Sequence, residues 1–259
     1  MIIKRDFVYS PKNEIRTLHI YLPDNYNESY QQYPVMYFFD GHNLYNDEDA
    51  TYGKSWGLKE FLTYWGKDMI VVGIECTHEG EERLNEYSPY TVTFRENLKG
   101  TPLGKETIEW IIHEIKPMID KEYRTYPFRE CTGIAGASMG GLMAAYAVAN
   151  YNEYFSKAGC LSSSLFFCID LFMNDMKKKN IDPDTRVYLS WGTKEARGIK
   201  DVYKIDDYSH TYHVNKKVAD YLESKHARVK IESQVGGEHN EASWELLVPS
   251  FMNFLWLEK

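Results

Sequence analysis

Basic residues are in the minority here: Lys and Arg number 30 against 38 Asp and Glu, a formal net charge of −8. A protein that grips a polyanion normally carries a basic surplus or a basic stripe. Neither is present, so nucleic acid is an unsuitable partner. Cysteine is equally sparse. Four thiols (Cys76, Cys131, Cys160, Cys168) in 259 residues, with no Cys-x-x-Cys, do not make a disulfide framework. They are expected to be reduced, which fits a cytoplasmic protein. Long apolar runs are missing as well. Met1-Ile2-Ile3-Lys4-Arg5-Asp6 has no hydrophobic stretch behind it that would make a signal peptide. The longest weakly polar segment, 135–149, is shorter than the roughly 20 residues a bilayer needs and contains Ser138. A soluble protein without a membrane partner is therefore expected. No Gly/Ser/Pro-rich linker and no internal repeat divides the chain, so residues 1–259 are read as one domain.

What is present is an ordinary globular composition, 43% apolar and 26% charged. Extended segments are expected at 2–9 and 15–22, around a Ser10-Pro11-Lys12-Asn13 turn, from their β-branched and aromatic content. Near-continuous apolar runs follow at 34–39, 69–74 and 133–136, with further strands near 158–161, 186–190 and 229–234. Such runs are what parallel strands look like when helices cover both faces. Helical spacing appears over 54–65, 106–123, 142–150, 214–225 and 241–257. Strand and helix thus alternate from about residue 34 onward, which predicts an α/β fold with a mostly parallel central sheet. The stretch 77–104 has the least periodicity, as lids and site rims often do.

The chemically informative segment is Gly136-Ala137-Ser138-Met139-Gly140, a Gly-x-Ser-x-Gly between an apolar strand and an alanine-rich helix. A serine on a tight strand-to-helix turn is lifted clear of the sheet, and the flanking glycines let strand and helix cross closely. A serine hydroxyl needs a general base to become a useful nucleophile. Of the eight histidines, His239 lies in Gly236-Gly237-Glu238-His239-Asn240, after the last strand and before the last helix, where that base belongs. His210 and His213 share a helix start with no third ligand evident, and His226 suits a helix end; these read as solvated. Glu195, the first carboxylate after strand 186–190, is the candidate to orient the imidazole, with Asp201, Asp206 and Asp207 remaining as alternatives. Oxyanion donors are expected from the amide of Met139 and from that of Asn43 or Leu44, in the Asp40-Gly41-His42-Asn43-Leu44 turn. The run His78-Glu79-Gly80-Glu81-Glu82 holds ligand-type side chains without a metal-site spacing and reads as a solvated loop.

Together, Asp40-Gly41-His42-Asn43, Gly136-Ala137-Ser138-Met139-Gly140-Gly141, Trp191-Gly192-Thr193-Lys194-Glu195 and Gly237-Glu238-His239-Asn240 resemble the esterase family that includes esterase D and enterochelin esterase, a branch of the α/β-hydrolases. The resemblance runs along nearly the whole chain. It implies a serine carboxylesterase with a Ser-His-acid triad and an acyl-enzyme intermediate, needing no metal or organic cofactor. It also implies a small-molecule or sugar-linked ester as substrate. Acyl transfer to another alcohol, or a hydrolase-like binding protein without turnover, are the alternatives on the same fold. The segment Arg83-Leu84-Asn85-Glu86-Tyr87-Ser88-Pro89 resembles one that lies beside the nucleophile in this family, which makes Arg83 and Tyr87 candidate substrate-binding residues. Tyrosine supplies 21 of the 39 aromatic residues, a composition suited to pocket rims and subunit contacts and compatible with a homodimer.

Overall fold

The computed structural model describes residues 1–91 and 100–258. Its strands are β1 (Ile2–Tyr9), β2 (Glu14–Tyr21), β3 (Val35–Phe39), β4 (Ile70–Ile74), β5 (Thr132–Ala137), β6 (Lys157–Leu161), β7 (Arg186–Gly192) and β8 (Arg228–Gln234). They form a single eight-stranded sheet in the order β1-β2-β4-β3-β5-β6-β7-β8. The β1–β2 hairpin and the β2–β4 pair are antiparallel, and every later pair is parallel. This is the α/β architecture the apolar runs predict, with the hairpin as its antiparallel edge.

Alternation along β3 explains the two-sided burial. Val35, Tyr37 and Phe39 enter one apolar cluster, whereas Met36 and Phe38 enter the other. The first face is covered by α3 (Gly104–Trp110), α4 (Lys116–Glu122), α5 (Met139–Asn150), α6 (Ile169–Met176) and α7 (His210–Ser224). The second is covered by α1 (Leu58–Tyr64) and α8 (Glu241–Trp256). A five-residue α2 (Glu82–Glu86) completes the helices among the described residues. None of these is long and apolar enough to cross a membrane. All four cysteines are free thiols, three of them buried.

Two departures from the expected elements have physical causes. The helix expected over 54–65 begins only at Leu58, because the preceding segment is captured by the loop after β3. Ser55 donates its amide and hydroxyl to Asp47 Oδ1 (2.7 and 2.8 Å), Trp56 N donates to Asn43 O, and Gly57 turns at φ 58°. The helix expected over 106–123 is interrupted by a π turn at Ile111–Ile115, which ends two residues before Pro117. Proline has no amide to continue the i→i−4 ladder, and a wider turn absorbs the gap. Helix α2 lies within the aperiodic stretch 77–104, of which residues 92–99 fall outside the described residues. Helix α6 is also absent from the expected elements, although its buried Phe172, Met173 and Met176 carry helical spacing.

The turn after β3 lies directly on β4. A Cβ at Gly41 would stand 2.4 Å from the Gly73 carbonyl carbon, and one at Gly73 would stand 2.7 Å from Leu44 Cδ1. Both contacts are shorter than real atoms allow, so glycine at each position lets this turn sit where it does. Gly41→Ala is accordingly expected to cost about 1–3 kcal/mol through overpacking. Urea unfolding tests this: the midpoint falls while the m-value stays constant. An unchanged midpoint would mean that the turn lifts off β4 without penalty.

Candidate active site

In this strand order β3 and β5 are neighbours whose following connections diverge, and open α/β sheets bind ligands at that carboxyl-end crevice. Ser138 occupies it, between β5 and α5, at φ 60° and ψ −121°. Its amide donates to Leu161 O at 3.0 Å, and its carbonyl accepts from Leu142 N and Ser164 N. A Cβ at Gly136 would meet the carbonyl carbon of Gly140 at 2.7 Å, so the glycines let helix and strand cross at the serine.

His239 stands on the loop between β8 and α8. That loop is fixed by Lys194 N donating to Gly237 O and by Asn240, whose side chain caps α8 through Ser243 N. The Glu195 carboxylate meets His239 Nδ1 through Oε2. Its other oxygen, Oε1, accepts from Gly192 N (2.6 Å) and Ser162 Oγ (2.5 Å). Ser162 Oγ in turn accepts from Trp244 Nε1 at 2.8 Å, and the Trp244 ring meets His239 edge-on with centroids 5.2 Å apart. Ser162 and Trp244 therefore brace the acid and the imidazole, and the sequence reading names neither. Their signal is positional: Ser162 follows β6 as Ser138 follows β5, and Trp244 lies one turn into α8.

The other acids are engaged elsewhere. Asp206 is buried and accepts from Trp191 Nε1 and Ser209 N, both at 2.9 Å. Asp201 bonds the Tyr203 amide and Lys204, and Asp207 is exposed. His210, His213 and His226 are exposed, as the sequence predicts.

The turn after β3 differs in detail from expectation. It is a short 3-10 turn, Gly41–Asn43, in which the Asn43 amide already donates to Asp40 O at 2.9 Å. Leu44 is fully buried against Gly73 and lines neither cleft. The amides of Gly41 and His42 precede the first bond of the turn, and amides in that position have no partner within it. Arg83 lines the cleft, but its guanidinium is a fork onto Asp40, with Nε to Oδ1 and Nη2 to Oδ2 both at 2.7 Å. Tyr87 is only 2% exposed and offers substrate no surface. Its hydroxyl accepts from the Asp40 amide at 3.2 Å, and its ring lies under the Arg83 guanidinium. Arg83 and Tyr87 thus hold Asp40, which is itself left-handed at φ 58°.

Two clefts meet at Ser138 and His239. One, about 360 Å³, is walled by Met139, Phe166, Phe167 and Trp191, with Arg197 at its edge. The other, about 580 Å³, is walled by Asp40, His42, His78, Arg83, Trp56 and Trp244. Among the described residues one group could hold a metal ion: His42, Glu75 and His78.

Burial alone would lift the Asp40 carboxyl, but the adjoining Arg83 guanidinium outweighs it and holds the group below the ordinary carboxylate range. A depressed folded-state pKa contributes stability that is full above the unfolded value of about 3.9 and is lost as pH falls through the folded one. Asp40→Asn is therefore expected to cost about 1–3 kcal/mol near neutrality. The gap between variant and wild type should close as unfolding is followed downward from about pH 5 toward pH 3. A gap independent of pH would assign the cost to packing instead of charge.

The whole arrangement lies within residues 11–254, which match the model of the family described as "Putative esterase". YbbA of Bacillus subtilis is similar at 24% identity over 185 residues, 70% of each chain. The esterase Rv1288 of Mycobacterium tuberculosis is 30% identical over 141 residues, which is 54% of this chain and 27% of that protein. Among solved structures, an IroE-like serine hydrolase from Shewanella oneidensis superposes with a TM-score of 0.73 at 20% identity, over 98% of this chain and 79% of that one. The chain belongs to this esterase family and is a hydrolase of ester bonds.

Proposed function

We propose that this esterase cleaves small carboxylic esters through an acyl-enzyme on Ser138, with His239 as general base and Glu195 as the acid that orients it. The observation carrying the proposal is the Glu195–His239 contact at Nδ1 beside a serine held at positive φ, both opening on the same cleft. A carboxylate on Nδ1 keeps the proton there and leaves Nε2 to accept the serine proton. Ser138 Oγ then adds to the ester carbonyl, forming a C–O bond and an oxyanion. Collapse of that intermediate expels the alkoxide, which takes the proton from His239. Water, deprotonated by the same imidazole, adds to the acyl carbon and releases the acid and free Ser138.

The oxyanion needs donors already in place. Met139 is the first residue of α5, where amides have no intrahelical partner. For the second donor we assign the His42 amide in place of Asn43 or Leu44, because Asn43 N is bonded to Asp40 O and Leu44 is buried away from both clefts.

Ser138→Ala should lower kcat on p-nitrophenyl esters by at least about 10³-fold without loss of fold, and only the wild type should be labelled by a fluorophosphonate at this residue. Wild-type turnover by the variant would remove the proposal. Glu195→Gln is expected to lower kcat by about 10²–10⁴-fold with little change in KM, because imidazole orientation matters most once imidazolium forms. Asp206→Asn should instead lower the unfolding midpoint, since its carboxylate holds Trp191 and Ser209. A selective kcat loss in Asp206→Asn, with Glu195→Gln active, would reverse the assignment of the acid.

A further inference from the structure

Three side chains that the proposed ester chemistry does not use converge beside the larger cleft, whose wall includes two of them, His42 and His78. A ring nitrogen of His42, a carboxylate oxygen of Glu75 and a ring nitrogen of His78 lie within 4.8 Å of one another. They come from the loops that follow two adjacent parallel strands, β3 and β4.

His42 is the telling member. It is only 6% exposed, and its Nε2 meets Thr51 Oγ1 at 2.9 Å. Its Nδ1 is sealed from solvent and has no hydrogen-bond partner. With the proton on Nε2 and donated to Thr51, Nδ1 presents a bare buried lone pair, which costs about 1–3 kcal/mol if nothing meets it. Glu75 is oriented as a ligating carboxylate would be. Its Oε1 is bonded to buried His19 Nε2 at 2.5 Å, which leaves Oε2 facing His78 Nε2 at 3.4 Å. The His78 ring lies edge-on to that of His42, with centroids 4.7 Å apart, and its exposure leaves it free to swing inward. Thr51 and His19 occupy the positions that outer-shell partners take behind metal ligands.

We propose that His42 Nδ1, Glu75 Oε2 and His78 bind one divalent transition-metal ion of the zinc class, the fourth position being left to water or substrate in the cleft. Two imidazoles and one carboxylate form a ligand set that zinc accepts with an open site. Tetrahedral coordination at about 2.0–2.1 Å brings donors to about 3.3 Å from one another, so the loops close by roughly an ångström, with His78 supplying most of the movement. Occupancy would tie the turn after β3 to the end of β4. The hard cations Mg²⁺ and Ca²⁺, which take oxygen ligands, do not fit two imidazoles.

The test uses the whole chain, stripped with EDTA and desalted, then titrated with Zn²⁺ against a chromophoric chelator and with Co²⁺ by visible absorption. One ion per chain is expected, with the Co²⁺ spectrum of a four-coordinate site. A hundredfold excess of Zn²⁺ over Kd should raise Tm by roughly 5–10 °C, and Mg²⁺ or Ca²⁺ should leave it unmoved. Exposed His78→Ala, which threatens the fold least, and Glu75→Gln should each weaken Zn²⁺ by at least about 10-fold. His210→Ala with His213→Ala should keep the affinity. Ser138→Ala should also keep it, so the site stands or falls apart from the esterase mechanism. Absence of saturable Zn²⁺ binding, binding indifferent to His78→Ala and Glu75→Gln, or loss with the His210/His213 pair would each overturn the proposal.

Discussion

Ser138 is held at φ 60°, a conformation that costs a non-glycine residue of order 1–3 kcal/mol and persists only when its surroundings over-determine it. Here the surroundings are the sheet itself. The Ser138 amide is bound to Leu161 O at the end of β6, and its carbonyl accepts from both α5 and the turn after β6. Ser162, the next residue along, is left-handed too, at φ 44°, and its amide is bound to Ser190 O in β7. The strain at the serine is thus passed one strand further, to the hydroxyl that holds Glu195. All twelve residues of α5 are buried, which supplies the apolar burial that offsets both strained positions.

That dependence explains which parts of the candidate site the sequence makes legible. Gly136, Ser138 and Gly140 announce themselves because a strained crossing needs small residues at fixed spacing, and His239 because it alone among the later histidines lies between the last strand and the last helix. The parallel strands are equally plain, since burial on both faces leaves long apolar runs in β3, β4 and β5. Glu195 is less plain. Three aspartates follow within a dozen residues, and it is in space, through contacts such as Lys194 N to Gly237 O and the close approach of Gly237 to Gly192, that the β7 and β8 loops come together.

What stays illegible is pairing across long sequence separations. Arg83 and Tyr87 read as substrate ligands because they are polar residues in a family-like segment. In space, Asp40 lies 43 positions away from Arg83 and takes both ends of its guanidinium. Trp56 likewise fits the helical period of 54–65, yet the Asn43 carbonyl and the Asp47 carboxylate compete successfully for the segment 55–57. A local pattern loses wherever a distant polar group offers the backbone a better partner.

The two clefts divide the chemistry in a way that follows from these pairings. The Phe166, Phe167 and Trp191 wall can strip water from an apolar acyl or alcohol group without breaking any hydrogen bond. The opposite wall holds groups already committed: Arg83 to Asp40, and Asn43 to Thr51 and Trp56. A group entering there would have to displace one of these partners to bond Arg83 or the Asn43 oxygens. The groups on that side with capacity in reserve are the His42 amide, which precedes the first bond of its turn, and the bare Nδ1 of His42. Those groups sit on one turn, seated on β4 through Gly41 and Gly73, so the backbone at the candidate oxyanion site and the candidate metal ligand move together. Any change that lifts that turn from β4 disturbs both at once, whereas changes at Phe166 or Phe167 reach neither.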